Sequence, residues 1–453
     1  MTGVAPTRTM GPVATTGLRM LHAPCASHAA HAPHAHPSEP LPPLYPQHAH
    51  PPARHGADLK RSRTMVARLR WFAGRNAEPD ARQWADMGGA LWRGDPLADH
   101  VIAWMKQEGM GKAWKQFEAL LGRPGPVPLD TPEPLARYLR EAQQWPAWVD
   151  HERLARGAAV LHATGLHGMM VLRDAGLMAG YQAAGLNQPL IRTGALAKGA
   201  QRRMAETTAW WLACTAPDGL APGGAGVHMT LRVRLMHALV RHQLAKDPDW
   251  DSAQWGLAIN QLDMQATYLG FSVVQLLSLK STGTVISRSE SDDVMHLWRA
   301  IGWLMGVEEG LLVNTEQEGR VVLYRNMLSQ APSDDSSVAL ARALMDEPLA
   351  RHYPDWPRLR GVLNKHRHLS LVQWFVGTQG MRALGLPLTL PWYPLLLALP
   401  KAVGSLVAMA SPSWRAQRVA RGLAEQQAYL KVLMGDAAGC PHQLGRVAGQ
   451  ADA

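Results

Sequence analysis

From about residue 60 the apolar residues recur every three to four positions, the spacing of amphipathic helices. Asp99–Met105 and Trp114–Leu121 carry it first, and the run Gly-Arg-Pro-Gly-Pro-Val-Pro at 122–128 breaks it. The period resumes over Leu135–Gln144, Arg153–Thr164, Gly168–Ala184 and Ala197–Cys214. Pro217–Gly226, with four glycines and two prolines, reads as a loop. It leads into a helix over Val227–Lys246. Further helices are predicted over Trp255–Leu279, Ser289–Met305, Val338–Met345, Pro357–Gly377 and Trp414–Met434. No stretch sustains a period of two, and neither a hairpin signal nor an internal repeat is present. The predicted fold class is all-α.

This pattern divides the chain into three parts. Residues 1–58 are rich in Pro, His and Ala, with His-Ala-Ala-His-Ala-Pro-His-Ala-His at 28–36. Such a composition cannot bury enough apolar surface to offset its ordering entropy, so a disordered tail is expected. Its imidazoles leave transition-metal binding open beside the reading as a solvated tract. Residues 59–435 form one large helical domain, and 436–453 a C-terminal tail. The three cysteines, Cys25, Cys214 and Cys440, form no CxxC or CxxCH. That argues against a zinc ribbon, a redox pair or a covalently attached haem. No basic-then-apolar leader opens the chain, so a cytoplasmic location is expected. The uncharged run between Arg382 and Lys401 is broken by Pro387, Pro391, Pro394 and Pro400. It is too short and too interrupted to predict a spanning helix. Peripheral membrane contact through 384–399, with Trp392 and Tyr393 as interfacial anchors, stands against a buried packing segment.

Charge and composition narrow the function. The net charge of +10 is spread among acids, as in Arg-Ser-Glu-Ser-Asp-Asp at 288–293, and no aromatic-interleaved basic stripe appears. No nucleic-acid partner is expected. The chain holds 17 Trp and 21 Met against 4 Phe and 8 Tyr. Bulky, adaptable side chains of this kind suit either a plain core or a pocket for an apolar ligand.

The informative chemistry lies in Leu231-Arg-Val-Arg-Leu-Met-His-Ala-Leu-Val-Arg241. On a helix Arg234, His237 and Arg241 fall at i, i+3 and i+7, on one side. Leu231, Val233, Leu235, Met236, Leu239 and Val240 surround them, so the helix is expected to be buried. Two buried guanidinium groups need partners. A haem meets that need: the imidazole supplies a nitrogen to the iron, and the arginines bind the propionates. A satisfied structural histidine has the same local pattern.

Residues 200–241 resemble the oxygenase family typified by MpaB and the latex-clearing rubber oxygenases. The resemblance rests on Gln201-Arg-Arg-Met-Ala-Glu-Thr-Thr-Ala-Trp210, the glycine-rich loop and the histidine segment. Trp255–Asp263 and Leu297–Gly306 extend it, with Gly94-Asp-Pro-Leu-Ala-Asp99 near the domain start. It implies a globin-like helical core with additional helices around haem b. It implies His237 as axial iron ligand, Arg234 and Arg241 as residues that seat the haem, and Arg203 and Thr207 on the distal side. It also implies an apolar, isoprenoid-type substrate attacked with dioxygen. The rubber-cleaving members carry a lysine next to the distal threonine, where this chain has Glu206. Positions 203, 206 and 207 share a helix face, so Glu206 is expected to pair with Arg203 or to move protons there, beside the reading as a solvated helix residue with no role. The alternative function is a non-catalytic haem- or lipid-binding protein on the same scaffold. Asp293-Val-Met-His296 has the spacing of a metal-bridging helix, but the further carboxylates of a di-iron bundle are lacking. His366, His368, Asp150 and Glu152 read as solvated polar positions.

Overall fold

The computed structural model describes residues 1, 3, 40–74, 76–194 and 199–435, apart from the side chain of Arg68. Helices and their connections make up the described residues, with no strand among them, as the period of 3.6 predicts.

The body is assembled by helices whose ends are set by local chemistry. Pro96–Glu108 begins at Asp95, whose side chain accepts from Ala98 N, with Pro96 in the first position, where no N–H is needed. His151–His162 is capped by Asp150, which accepts from Glu152 N and Arg153 N. Arg288–Leu304 starts with a reciprocal capping box between Ser287 and Glu290. These last two helices pack along each other. Gly157 permits the approach: a Cβ there would lie 2.5 Å from the Asp293 carbonyl oxygen. Ala200–Thr215 and Ala225–Leu244, joined by the glycine-rich loop, fold back on each other, and the second also packs on Pro96–Glu108. Trp211, Trp298, Tyr138 and Phe117 are among the largest fully buried side chains.

Two helices widen into π-helical turns, at Leu172–Met178 and Gly270–Val274, and these turns pack on each other. Such bulges are frequent at functional sites. Beside the first, Arg173, Asp174, Glu347, Arg351 and His368 form a buried network. His368, expected at a solvated position, is 2% exposed and lies 2.7 Å from Asp174 Oδ2. His366 is exposed, and Asp150 is the helix cap described above.

The tail expected over 1–58 divides. Residue 2 and residues 4–39, with the His tract, lie outside the described residues, as do 436–453. Residues 42–58 are packed on the helices. Arg54, 1% exposed, bonds Asp263 Oδ2 at 2.7 Å, and Trp92 Nε1 donates to His50 O at 2.9 Å. Composition suggested solvation, but one buried ion pair and several backbone bonds anchor the segment.

Several helices depart from the predicted pattern. Leu59–Met65, Ala67–Ala73, Ala81–Ala90, Ala184–Arg192 and Glu316–Ser329 are not among the predicted elements. Trp392–Ala410 forms across the run whose prolines were read as breaks.

Candidate functional site

A cavity of about 1620 Å³ opens between the π-helical turns and the helices Ala200–Thr215, Ala225–Leu244 and Arg288–Leu304. Ligand pockets usually span roughly 300–1,000 Å³, so this one suits a large ligand, or a cofactor together with a substrate. Its wall is mostly apolar. Trp210, Phe271 and Trp298 form one aromatic group, with Phe271 stacked on Trp298 at 4.9 Å between ring centres. Trp210 is fixed by donating to Thr230 Oγ1 at 2.9 Å.

His237 projects into this cavity between Val233 and Val240 of the same helix. Its Nδ1 is buried without a hydrogen-bond partner. Burial first, and Arg241 second, push its pKa down to about 4. The ring is therefore neutral at pH 7 and offers a lone pair.

Arg234 and Arg241 do not line the cavity. They lie on the flank of the helix next to His237, turned away from the cavity wall, where carboxylates of the preceding domain segment hold them. Arg234 Nε donates to Asp95 Oδ2 at 2.6 Å, and its Nη2 to Oδ1 at 2.9 Å. Arg241 Nε donates to Asp99 Oδ1 at 3.0 Å, and its Nη1 to Ile259 O at 2.7 Å. The buried charges thus find protein carboxylates, which corrects the expectation that propionates would hold them. Glycines cover both pairs. A Cβ on Gly94 would lie 2.6 Å from Asp99 Oδ2, and one on Gly306 would lie 2.6 Å from Arg234 Nε. The physical signal for Asp95 and Asp99 was present: two buried arginines require two acids. Their distance along the chain, about 140 residues, hid the match. Ile259 sits at φ 49°, a region that costs a β-branched residue about 1–3 kcal/mol. Its carbonyl is held there by Arg241.

Arg203, Glu206 and Thr207 all border the cavity. Arg203 Nη1 donates to the buried Tyr181 hydroxyl at 3.5 Å. Glu206 pairs with Arg202, not with Arg203: Arg202 Nε lies 2.9 Å from Glu206 Oε1, and both side chains are substantially exposed. Sequence spacing permits either partner. The one a full turn away, at i−4, is reached on the outer surface. Lys280 and Arg320 also border the cavity, both joined to Glu316. Asp293 and His296 are taken up by structure: Asp293 pairs with Arg153 and Arg156, and His296 Nε2 accepts from Asp150 N. No cluster of three or more His, Cys, Asp or Glu able to hold a metal occurs among the described residues.

A neutral imidazole with its inner nitrogen unpartnered, set in a large apolar chamber, fits the axial position of a haem. Such a metal brings its own equatorial ligands, so one protein ligand suffices.

The fold resembles a solved structure described as latex clearing protein LCP in the closed state. The TM-score is 0.53 at 18% identity, over 74% of this chain and 91% of that one. A rubber oxygenase of Streptomyces sp. (strain K30) is 23% identical over 279 residues, which cover 59% of this chain and 62% of that relative. The chain thus spans less than two thirds of that relative's length. Residues 162–422, more than half of the chain, match the family model for the catalytic domain of ER-bound oxygenase mpaB/B'/Rubber oxygenase, and the chain belongs to that family.

Proposed function

We propose that the protein is a haem b-dependent oxygenase acting with dioxygen on an apolar substrate of isoprenoid type. The observation that carries this reading is His237: neutral, with Nδ1 unpartnered, on a cavity of about 1620 Å³. Family membership and the rubber oxygenase relative support both the oxygenase class and an isoprenoid substrate.

In this reading a haem held by His237 would supply the activation of dioxygen when bound. His237 provides its axial ligand. Arg234 and Arg241 act from the adjoining flank of the helix, fixing its rotation and depth against Asp95 and Asp99. Arg241 also disfavours the imidazolium. Arg203 and Thr207 supply polar groups at the opposite boundary, where Arg203 is oriented by Tyr181. Lys280 and Arg320 are cavity-side cations suited to carboxylates of the cofactor. The aromatic group of Trp210, Phe271 and Trp298 gives the substrate an apolar wall and excludes water.

The test is haem titration of the purified protein, followed by ferrous and carbon monoxide spectra and oxygen uptake with a polyisoprene oligomer. His237→Ala is expected to lose the Soret band while the far-UV circular dichroism keeps its helical form. Full haem uptake with unchanged ligation in the variant would overturn the assignment. Haem binding without oxygen consumption on any isoprenoid would reduce the protein to a carrier.

A further inference from the structure

The helix Trp392–Ala410 is long and apolar, with a mean hydropathy of 1.5, yet only 11% of its apolar window is buried. One side is docked. Pro394 and Ser405 are buried, and Ala398 touches the backbone at Gly283 so closely that no Cβ fits there. These three positions fall within a narrow arc of the helix. Leu395, Leu399, Val403 and Leu406 lie on the opposite arc, flanked by Leu396 and Val407, and all are exposed. Leu388 and Leu390 precede this stripe, and exposed Trp414 follows it. Contiguous apolar surface of this extent marks an interaction site on a folded protein.

Charge identifies the partner. Residues 356–424 contain nine Lys and Arg and not one Asp or Glu, while the whole chain carries a net +10. Three of these nine are paired with acids from outside the stretch, Lys365 with Asp346, Arg415 with Glu290 and Arg421 with Glu425. The others leave the helices around the apolar stripe with an excess of positive charge. Arg382 stands before the stripe, exposed, and Arg415, Arg418 and Arg421 follow it, Arg415 and Arg421 exposed although each is paired with a glutamate. Arg418 donates to Ala163 O and Ser405 Oγ, neither of them charged. A leucine-rich face rimmed by cations and flanked by tryptophans matches the boundary between acyl chains and anionic headgroups.

We propose that the Trp392–Ala410 helix docks the protein in the plane of an anionic phospholipid bilayer, its exposed leucines inserted and the surrounding cations at the headgroups. The docked inner side keeps the helix from spanning. The contact expected over 384–399 is thereby moved toward the C-terminus and given a face. It also sits near the cavity. The preceding helix, Pro357–Ala383, packs against the docking helix and supplies Trp374 through Gly380 to the cavity wall. Trp374 Nε1 donates to Ser281 Oγ, also of that wall. An apolar substrate dissolved in the bilayer would lie within one helix layer of the chamber.

The experiment is co-sedimentation of the full chain with vesicles of phosphatidylcholine alone or with about one third phosphatidylserine, at low and at high salt. Expected is binding to the anionic vesicles, at least tenfold weaker on neutral ones and weakened by salt. Leu395→Asp/Leu399→Asp is expected to lower anionic binding at least tenfold, and Leu395→Gln/Leu399→Gln to lower it as well. Circular dichroism and haem uptake of both variants check the fold, and neither readout depends on oxygenase activity. Absence of binding by the wild-type chain, or equal binding by the folded variants, overturns the proposal. So does equal binding to neutral and anionic vesicles. A wild-type dimer in sedimentation velocity that the aspartates dissolve, without vesicle binding, would assign the face to a second copy.

Discussion

Arg241 and Asp99 meet on the flank of the histidine helix with both side chains at 2% exposure or less, one turn from the imidazole of His237. Neither charge reaches water, and neither touches the cavity that His237 faces. The pair therefore acts on the site through the helix backbone and through the charge of Arg241.

Removing one member leaves the other buried and unpaired, and guanidinium cannot neutralise itself by losing a proton. Asp99→Asn is therefore expected to destabilise the fold by about 3–5 kcal/mol, with Arg241→Met close behind. The double variant is expected to recover part of the loss. Urea denaturation of the three proteins measures this, and an Asp99→Asn midpoint equal to wild type would contradict it.

Glu206 is joined to Arg202 on the outer surface. Exposed pairs of this kind contribute about 0.2–1 kcal/mol. Glu206→Gln is expected to change stability by no more than that, with haem affinity and oxygen uptake held within about twofold of wild type. Arg203→Met, which removes a group held by Tyr181 at the cavity boundary, is expected to slow oxygen uptake at unchanged haem content. Reversal of these two effects in kinetic assays would return Glu206 to the chemistry.

Arg54 fills a buried position, and its loss would strand Asp263. Arg54→Ala is expected to lower the melting temperature by several degrees, an effect of about 3 kcal/mol or more. A chain starting at Leu59 should show the same loss. Calorimetry on both proteins decides, and a truncated chain as stable as the intact one would show that residues 42–58 contribute nothing.

The stability of the cofactor-free protein is expected to fall as pH drops from 6.5 to 4. Burial pushes His55, His162 and His237 down to about 4 and His167 to about 3, and lowers His368 well below its ordinary value. In that window the unfolded chain binds protons that these five rings refuse, so acid favours unfolding. Burial raises Asp99 to about 6 and Asp174 to about 7, which acts in the opposite sense, but burial also lowers His228, His242 and His296, so two groups oppose eight. Thermal melts across the window should show a steady decline. A flat or rising profile would mean that the rings are protonated in the fold.

The helical class and most helices were legible because a period near 3.6 follows from burying one face. His237 was legible for the same reason: it interrupts an apolar helix. What could not be read were pairings. Asp95 and Asp99 lie 139 and 142 residues from the arginines they hold, and no local spacing encodes such a match. The Trp392–Ala410 helix was hidden by its prolines. Pro394 sits in the first turn, where an N–H has no intrahelical acceptor to lose. Pro400 is tolerated within the helix. Glu316–Ser329 was masked because polar residues interrupt its apolar face, and its buried Asn326 bonds Leu262 O and Gln265 Oε1.

The glycine-covered pairs Arg234–Asp95 and Arg241–Asp99 have a consequence for how small a working fragment can be. The region matching the family begins at residue 162, downstream of both aspartates. A recombinant piece cut at that boundary would carry the histidine helix with two orphaned guanidinium groups, their acids left behind on the discarded part. The smallest autonomous unit therefore starts before Asp95, and the anchoring by Arg54 moves that start further toward the N-terminus.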